Sequence, residues 1–196
     1  AILYSVPHHC VLQQLSTLFP VIDNAAEHIN QISSNASQAI SDFQWAIAQF
    51  QIWAQQADYL IAHNAKFDSQ WFGYGVLPYI DKPWLCTYRD FIWKNNSKPT
   101  SLVTTCINHG IEVSKAHRAL TDCQMIAELF DRTAAQEGEL DKLLQKAIAR
   151  SKEETITVIA LVDYSDRYLA KEQDFRWDSN QKIWSKVLKA SDYKQE

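Results

Sequence analysis

Residues 60–68, Leu-Ile-Ala-His-Asn-Ala-Lys-Phe-Asp, decide the fold of this chain. A short apolar run ends at His63 and Asn64, and apolar residues then return at helical spacing from Phe67 onward. The stretch therefore predicts a strand that leads directly into a helix. Asp68 comes just after the carboxyl end of that strand, which is the edge where open α/β sheets bind their ligands.

The chain upstream of this stretch predicts an antiparallel edge and two helices. Branched and aromatic residues, punctuated by Pro7 and Pro20, indicate two strands joined as a hairpin. Helical spacing follows, and Asn35 is positioned to cap the longer helix. The predicted strands are residues 2–6 and 11–19, and the predicted helices are residues 24–32 and 36–57.

Downstream, one more short strand is followed by three helices, the first closed by Gly110 as a C-cap. The alternation predicts an α/β domain with a mixed sheet, antiparallel at one edge and flanked by helices. A charged stretch near residue 152 then marks a boundary, so we expect one domain over 1–152 and a small β-rich module over 153–196. The predicted elements are a strand at 84–87, helices at 66–74, 101–108, 118–135 and 139–150, and, in the tail, a strand at 157–162, a helix at 166–172 and a hairpin of 175–178 with 182–186.

Composition places the chain among globular proteins. Of its 196 residues, 46% are hydrophobic and 21% are charged, which excludes disorder, collagen and a disulfide scaffold. No apolar run is long enough to span a membrane, and the four cysteines show no zinc spacing, which favours reduced thiols in a soluble cytoplasmic protein. The net charge of −4 provides no overall basic field, so a nucleic-acid partner requires a local site.

A second polar constellation, residues 117–122, starts the helix predicted at 118–135. If Asp122 and Asp68 converge, their carboxylates can hold a hard cation such as Mg²⁺, and His117 is positioned to act as a general base near neutral pH. Each residue also has an ordinary structural interpretation. An Asp at a helix start is usually a cap or a partner of the helix dipole, and a lone His is usually a satisfied surface or core residue.

The combination resembles the DEDDh group of DnaQ-like 3′-5′ exonucleases. Residues 60–68 resemble the second exonuclease motif of this family, and residues 113–130, with His-Arg-Ala-Leu-Thr-Asp-Cys at 117–123, resemble the third. Between them, residues 84–90 resemble the middle strand of the family and the turn that follows. The resemblance extends in the correct order over residues 1–135, and it implies a ribonuclease H-like fold.

The first motif of the family, an Asp-x-Glu on the first strand, occurs nowhere in the 196 residues. The acidic residues upstream of Asp68 lie on predicted helices or at the wrong end of a strand, so none replaces it: Asp23, Glu27, Asp42 and Asp58. Because the first strand lies in the middle of the family's sheet, its loss would leave backbone groups unpaired. We therefore expect an N-terminally truncated chain.

The resemblance implies a two-metal mechanism with Mg²⁺ or Mn²⁺, for which Asp68 and Asp122 are the two visible carboxylates and His117 is the general base. It implies release of nucleoside 5′-monophosphates from single-stranded 3′ ends, with DNA as the expected substrate and replication or repair as the expected setting. Asn64 and His63 are the candidates for contacting the terminal nucleotide, and the alternative for Asn64 is an amide that only holds the loop in place. Without the first motif we expect weak metal binding and weak nuclease activity. Many members of the family are dimers, so the resemblance also allows a homodimer. The alternative is an inactive nuclease-fold module that binds nucleic acid or a protein.

The tryptophans divide between core and tail. Trp53 and Trp84 lie on an apolar helical face and on a strand, which favours core packing over base stacking. In the tail, basic residues flank two tryptophans, and this arrangement suits either single-strand contact or a small stabilising β-layer. The residues concerned are Arg176, Lys182 and Lys186, with Trp177 and Trp184.

Overall fold

The structure, a computed structural model, describes residues 1–39, 42–113 and 118–193, and it divides into two compact units, Ala1–Ser151 and Lys152–Glu196. The elements of the first unit are β1 (Ile2–Ser5), β2 (Cys10–Gln14), α1 (Glu27–Asn30), α2 (Ser34–Gln38), α3 (Gln44–Gln56), β3 (Leu60–Ala62), α4 (Ala65–Ser69), β4 (Trp84–Cys86), α5 (Leu102–Asn108), α6 (Ala119–Ala134) and α7 (Glu139–Ser151). Those of the second unit are β5 (Thr155–Ala160), α8 (Arg167–Glu172), β6 (Arg176–Asp178) and β7 (Ile183–Lys189).

The predicted hairpin is present. Strands β1 and β2 are antiparallel, with an irregularity of register between Leu3 and Tyr4. Strand β2 ends at Gln14, well before the predicted end at Phe19. The next residue, Leu15, still exchanges backbone hydrogen bonds with Ala1 at 2.8 and 2.9 Å.

The single helix predicted over residues 36–57 is wrong, because two helices, α2 and α3, occupy this region. Ser33, rather than Asn35, caps α2, since its hydroxyl accepts a hydrogen bond from the Ala36 N–H at 3.1 Å. The carboxylate of Asp42 accepts from the Gln44 N–H at 3.0 Å, a local bond that competes with helix continuation and starts α3 afresh.

Helix α4 is shorter than predicted. It ends at Ser69 rather than at residue 74, and turns follow. Gly73 adopts a φ of +83°, a conformation that a continuing right-handed helix does not permit. At α5 the prediction is confirmed, because Ser101 caps the start and Gly110, with a φ of +72°, follows the end.

Strands β3 and β4 are parallel, with Leu60 opposite Trp84 and Ala62 opposite Cys86. The α/β class with both antiparallel and parallel pairing is therefore confirmed. Within the described residues, however, β1–β2 and β3–β4 form two separate two-stranded sheets. A cavity of about 1030 Å³, bordered by both sheets, lies in the first unit.

Helices α5, α6 and α7 form the main core with β4. The side chains of Leu85, Cys106, Leu129, Leu140 and Ala147 are at most 1% exposed. Such a closely packed cluster fixes the positions of the helices that carry candidate functional residues.

The opposite face of β3–β4 is covered by aromatic side chains and α3. Trp84 contacts Phe72 with ring centroids 5.5 Å apart, and Phe72 stacks on Phe50 of α3 at 5.3 Å. Because Trp84 and Leu85 are consecutive on a strand, their side chains point to opposite faces. Helices therefore cover both faces of the parallel pair, and Trp53 of α3 is buried as expected.

The second unit is a three-stranded antiparallel sheet in the order β5–β7–β6. The predicted hairpin is present, with Trp177 opposite Trp184 and their rings 5.6 Å apart. Asp178 forms its turn by accepting hydrogen bonds from the N–H groups of Asn180 and Gln181 at 2.8 and 3.0 Å.

The basic residues of the tail are only partly available to a ligand. The Lys186 ammonium donates to the Gln173 carbonyl at 2.9 Å and lies over the Phe175 ring, while the Arg176 side chain is exposed. Nucleic-acid contact by this unit therefore stays a prediction. None of the helices in the described ranges is long and apolar enough to cross a membrane.

Candidate metal and nuclease site

The junction between β3 and α4 places Asp68 near the edge of the sheet. The chain turns at Asn64, which adopts a left-handed conformation with φ +67° and ψ +49°. Asparagine tolerates this conformation better than most residues with a side chain. The Phe67 N–H then bonds to the Asn64 carbonyl at 2.8 Å, and Asp68 follows in the first turn of α4.

Asp122 lies in the first turn of α6. Arg118, the residue before the helix, is extended, and its carbonyl accepts from the Asp122 N–H at 2.9 Å. This places the carboxylate at the positive end of the helix dipole. The predicted general base, His117, lies outside the described residues.

The fold brings Asp68 and Asp122 close enough for their charges to interact. Burial raises the pKa of the half-buried Asp68 carboxyl, and the charge of Asp122 raises it further. Two carboxylates that repel each other in a partly desolvated position form a site that favours a cation.

The thiol of Cys123 lies near the carboxylates of Asp68 and Asp122, and the sequence had not indicated Cys123 as part of this site. Burial raises the pKa of its thiol; the positive charge of the Ala1 amino group opposes this effect, and the charges of Asp122 and Asp68 add to it. The start of β1 therefore lies beside both carboxylates. The only sequence signal was the position of Cys123 directly after Asp122.

His63 is held at the end of β4. Its Nδ1 lies 3.0 Å from the Thr87 hydroxyl, and its ring meets the Tyr88 ring edge-on at 5.5 Å. Burial lowers the pKa of His63, so the imidazole is neutral at neutral pH. The residue is thus a hydrogen-bonding group rather than a cation near the carboxylates.

We expect the free energy of unfolding to fall as the pH drops from 7 to 5, in part because of His63. In the unfolded chain this histidine titrates near its ordinary pKa of about 6.5, whereas the folded protein holds the pKa lower. The unfolded state then binds more protons in this window, so stability is present above pH 6.5 and is lost as the pH falls toward the folded-state pKa. Urea unfolding across this range should show a shallower loss in His63→Gln; parallel profiles for the two proteins would contradict the assignment.

An exposed aromatic pair, also missed, flanks Asp68 in the sequence. Phe67 and Trp71 are 57% and 50% exposed, and their ring centroids are 6.4 Å apart. Their four-residue separation was visible in the sequence, but apolar spacing of this kind usually indicates core packing. The structure instead leaves both rings accessible to a ligand.

Two carboxylates suit one Mg²⁺ or Mn²⁺ ion, since Mg²⁺ is commonly held by one or two carboxylates together with substrate phosphates and water. Among the residues that the structure describes, no group of three or more His, Cys, Asp or Glu side chains could hold a metal. Asp68 and Asp122 are therefore the described carboxylates that are placed to hold one such ion.

An α/β domain that brings together one carboxylate just after a parallel strand and another in the first turn of a helix suits a metal-dependent hydrolase such as a nuclease. Residues 14–130 match a family described as exonuclease, of the RNase T type. The chain belongs to this exonuclease family. Residues 157–196 match a domain of unknown function, DUF8626.

Among solved structures, the chain is similar to exonuclease X in complex with 5′-overhanging duplex DNA. The identity is 19%, the TM-score is 0.51, and the match covers 71% of this chain and 84% of the other. At this identity the likeness establishes the fold. No curated protein sequence matches the chain.

Proposed function

We propose that this protein is a metal-dependent 3′-5′ exonuclease that releases nucleoside 5′-monophosphates from the 3′ ends of single-stranded DNA. The observation that carries the proposal is the convergence of Asp68 and Asp122 within the segment that matches the exonuclease family. We assign the exonuclease domain to residues 1–152 and a small appended module to residues 153–196.

Asp68 and Asp122 would hold Mg²⁺ or Mn²⁺ through carboxylate oxygens. Such an ion stabilises the charge that develops on the attacking and leaving oxygens at phosphorus. His117, from its place just before α6 in the sequence, would take the proton from the attacking water. With two carboxylates among the described residues, we expect metal binding to be weak and cleavage by this chain to be slow.

The terminal nucleotide would be held by groups around the β3–α4 turn. The Asn64 side chain makes no capping bond, although it stands at the start of α4, so its amide is available to a ligand. The neutral imidazole of His63 offers a further hydrogen-bonding group, and the exposed rings of Phe67 and Trp71 suit stacking against bases.

The polarity of digestion tests this proposal directly. A single-stranded oligonucleotide with a fluorophore at its 5′ end should shorten in a ladder from the 3′ end with Mg²⁺ or Mn²⁺, and chromatography should identify nucleoside 5′-monophosphates. Immediate release of the labelled nucleotide would contradict 3′-5′ polarity. If the oligonucleotide binds but is not shortened with either metal, the second candidate is favoured, which is an inactive nuclease-fold binding module. This alternative is supported by the finding that the described residues contain no group of three or more potential metal-binding side chains.

Two substitutions at Asn64 separate its backbone role from its amide. Glycine accepts the left-handed conformation, whereas alanine is strained there by about 1 kcal/mol, so we expect Asn64→Ala but not Asn64→Gly to lower stability measurably. If the amide contacts the nucleotide, both variants should bind a single-stranded oligonucleotide about tenfold more weakly, which is one lost hydrogen bond. Fluorescence anisotropy with Ca²⁺ in place of Mg²⁺ measures the affinity; unchanged binding by Asn64→Gly would assign the residue to the turn alone.

A further inference from the structure

The β6–β7 hairpin of the second unit carries a pair of tryptophans that the proposed nuclease chemistry does not use. Trp177 and Trp184 lie directly opposite each other, with their ring centroids 5.6 Å apart and their ring planes at 55°. Trp177 is 51% exposed, whereas Trp184 is only partly exposed. Because the two rings are tilted and close together, a planar ligand has no room between them. The surface that such a ligand can reach is the outer face of the Trp177 ring.

Strand pairing fixes where this face lies on the sheet. Trp184 also pairs with Ala160 of β5, so Trp177, Trp184 and Ala160 form one row across the three strands. Lys186 lies two residues further along the same face, and its ammonium donates to the Gln173 carbonyl at 2.9 Å. The Lys186 side chain is therefore held at the end of α8, and the tryptophan row lies between it and the turn of the hairpin.

The hairpin is basic within a chain that is acidic overall. Residues 176–189, which are β6, β7 and the turn between them, contain four basic residues and one acidic residue, a net charge of +3. The whole chain has a net charge of −4. The single carboxylate, that of Asp178, accepts two backbone hydrogen bonds and belongs to the turn. The hairpin therefore suits an anionic ligand. The four basic residues are Arg176, Lys182, Lys186 and Lys189.

Two of these cations are available to a ligand at the tryptophan end of the hairpin. Arg176 and Lys182 are exposed, and their side chains form no hydrogen bond or ion pair with any residue in the described ranges. Arg176 is the neighbour of Trp177 on β6, and Lys182 precedes Trp184 by two residues. Each cation is thus at most two residues, or about 7 Å of backbone, away from a tryptophan.

The turn holds these groups in place before any ligand arrives. The Asp178 carboxylate accepts from the N–H groups of Asn180 and Gln181 at 2.8 and 3.0 Å, and Lys182 completes the turn with a φ of +54°. Antiparallel pairing fixes the backbone on both sides of it. Little backbone freedom is left to lose on binding, which favours affinity.

An exposed aromatic face beside two unpaired cations matches the chemistry of single-stranded nucleic acid. A base stacks on the ring, and the phosphates on either side of it meet the positive charges. An apolar peptide would use the ring without the cations, and a free phosphate would use the cations without the ring. A contact of this kind needs neither a metal ion nor a 3′ end.

We propose that the β6–β7 hairpin is a second contact site for single-stranded nucleic acid, at which one base stacks on Trp177 while Arg176 and Lys182 contact the flanking phosphates. The choice of nucleic acid as the partner rests in part on the proposed function, but the contact itself is independent of cleavage. Because the hairpin is covalently linked to the exonuclease domain, it raises the local concentration of the strand at that domain.

A circular single-stranded DNA oligonucleotide tests this site apart from the candidate metal site, because a circle has no 3′ end. The full chain is titrated in EDTA against an internally labelled circle, and fluorescence anisotropy gives the affinity. Trp177→Leu should weaken binding at least about fivefold, and Trp177→Phe, which keeps an aromatic ring, should stay within about threefold of the unmodified protein. Trp45→Leu is the matched control, because Trp45 is 53% exposed on α3 of the first unit, and it should bind normally.

Charge variants give a second readout, which a change in packing alone would not produce. Each phosphate contact to a single strand contributes about 0.7 to the slope of log affinity against log salt concentration. Arg176→Gln and Lys182→Asn should each reduce this slope by about 0.7, and asparagine tolerates the left-handed conformation at position 182. Lys171→Gln removes an exposed charge from α8 of the same unit and should leave the slope unchanged.

Three results would overturn the proposal. Equal affinities of Trp177→Leu and Trp45→Leu for the circle would remove the stacking contact. An unchanged salt slope in both Arg176→Gln and Lys182→Asn would remove the phosphate contacts. A shift of the Trp177 indole N–H resonance with a proline-rich peptide, and none with the circle, would assign the surface to a protein partner. Since the circle and EDTA exclude exonuclease action, this site can bind while the proposed function fails, and the reverse is equally visible.

Discussion

Asp122→Asn is expected to reduce metal-dependent digestion of single-stranded DNA by about 100- to 1000-fold. The loss corresponds to about 3–4 kcal/mol of transition-state stabilisation, the amount expected when an ion loses one of two carboxylate ligands. The substitution keeps the size of the side chain and its place in the first turn of α6, so the fold should be unaffected. Initial rates with Mn²⁺ on a labelled oligonucleotide give the measurement.

Asp141→Asn is the matched control, because Asp141 also lies in the first turn of a helix, α7, and is exposed. It should retain full activity.

Asp68→Asn should lose about as much activity as Asp122→Asn. The double variant should be no less active than either single variant, since the effects of groups that act as a unit are not additive. In Asp122→Asn the pKa of Asp68, followed by NMR, should move back toward its ordinary value. Equal activities of the Asp122 and Asp141 variants would remove the basis of the proposed function.

Asp90→Ala is expected to destabilise the first unit by about 2–3 kcal/mol. The Asp90 carboxylate is 5% exposed and accepts a hydrogen bond from the Cys86 N–H at 2.7 Å, so its removal leaves a buried donor unpaired at the end of β4. Urea unfolding followed by tryptophan fluorescence measures the change in the free energy of unfolding. Asp90→Asn keeps an oxygen acceptor and should lose clearly less.

The consequences of Asp90→Ala should reach the candidate site. The turn after β4 also holds Thr87, whose carbonyl accepts from the Trp93 indole N–H at 3.0 Å and whose hydroxyl contacts His63. Loosening this turn should bring the pKa of His63 closer to its ordinary value. An Asp90→Ala protein as stable as Asp90→Asn would show that the buried hydrogen bond contributes little.

The local patterns of the sequence identified most elements where one side chain controls one turn. The strand-to-helix transition at residues 60–68, the closure of α5 by Gly110 and the tail turn at Asp178 were all predicted from such signals. The same reasoning failed between Asn35 and Ala57, where apolar residues at helical spacing run on past the end of α2 and into α3. The hydrogen bond from the Gln44 N–H to the Asp42 carboxylate, which starts α3, leaves no trace in the periodicity of the sequence.

What the sequence determined by itself is the class of the domain and the positions of Asp68 just after a strand and of Asp122 at a helix start, because strand ends and helix starts are local properties. Only the tertiary structure decided that the charges of Asp68 and Asp122 interact, that both charges act on the Cys123 thiol, and that His63 is held by Thr87. Which residues line the cavity between β1 and β3 was likewise visible only in the structure. These features depend on the packing of helices far apart in the chain, and no local pattern encodes which residues that packing brings together.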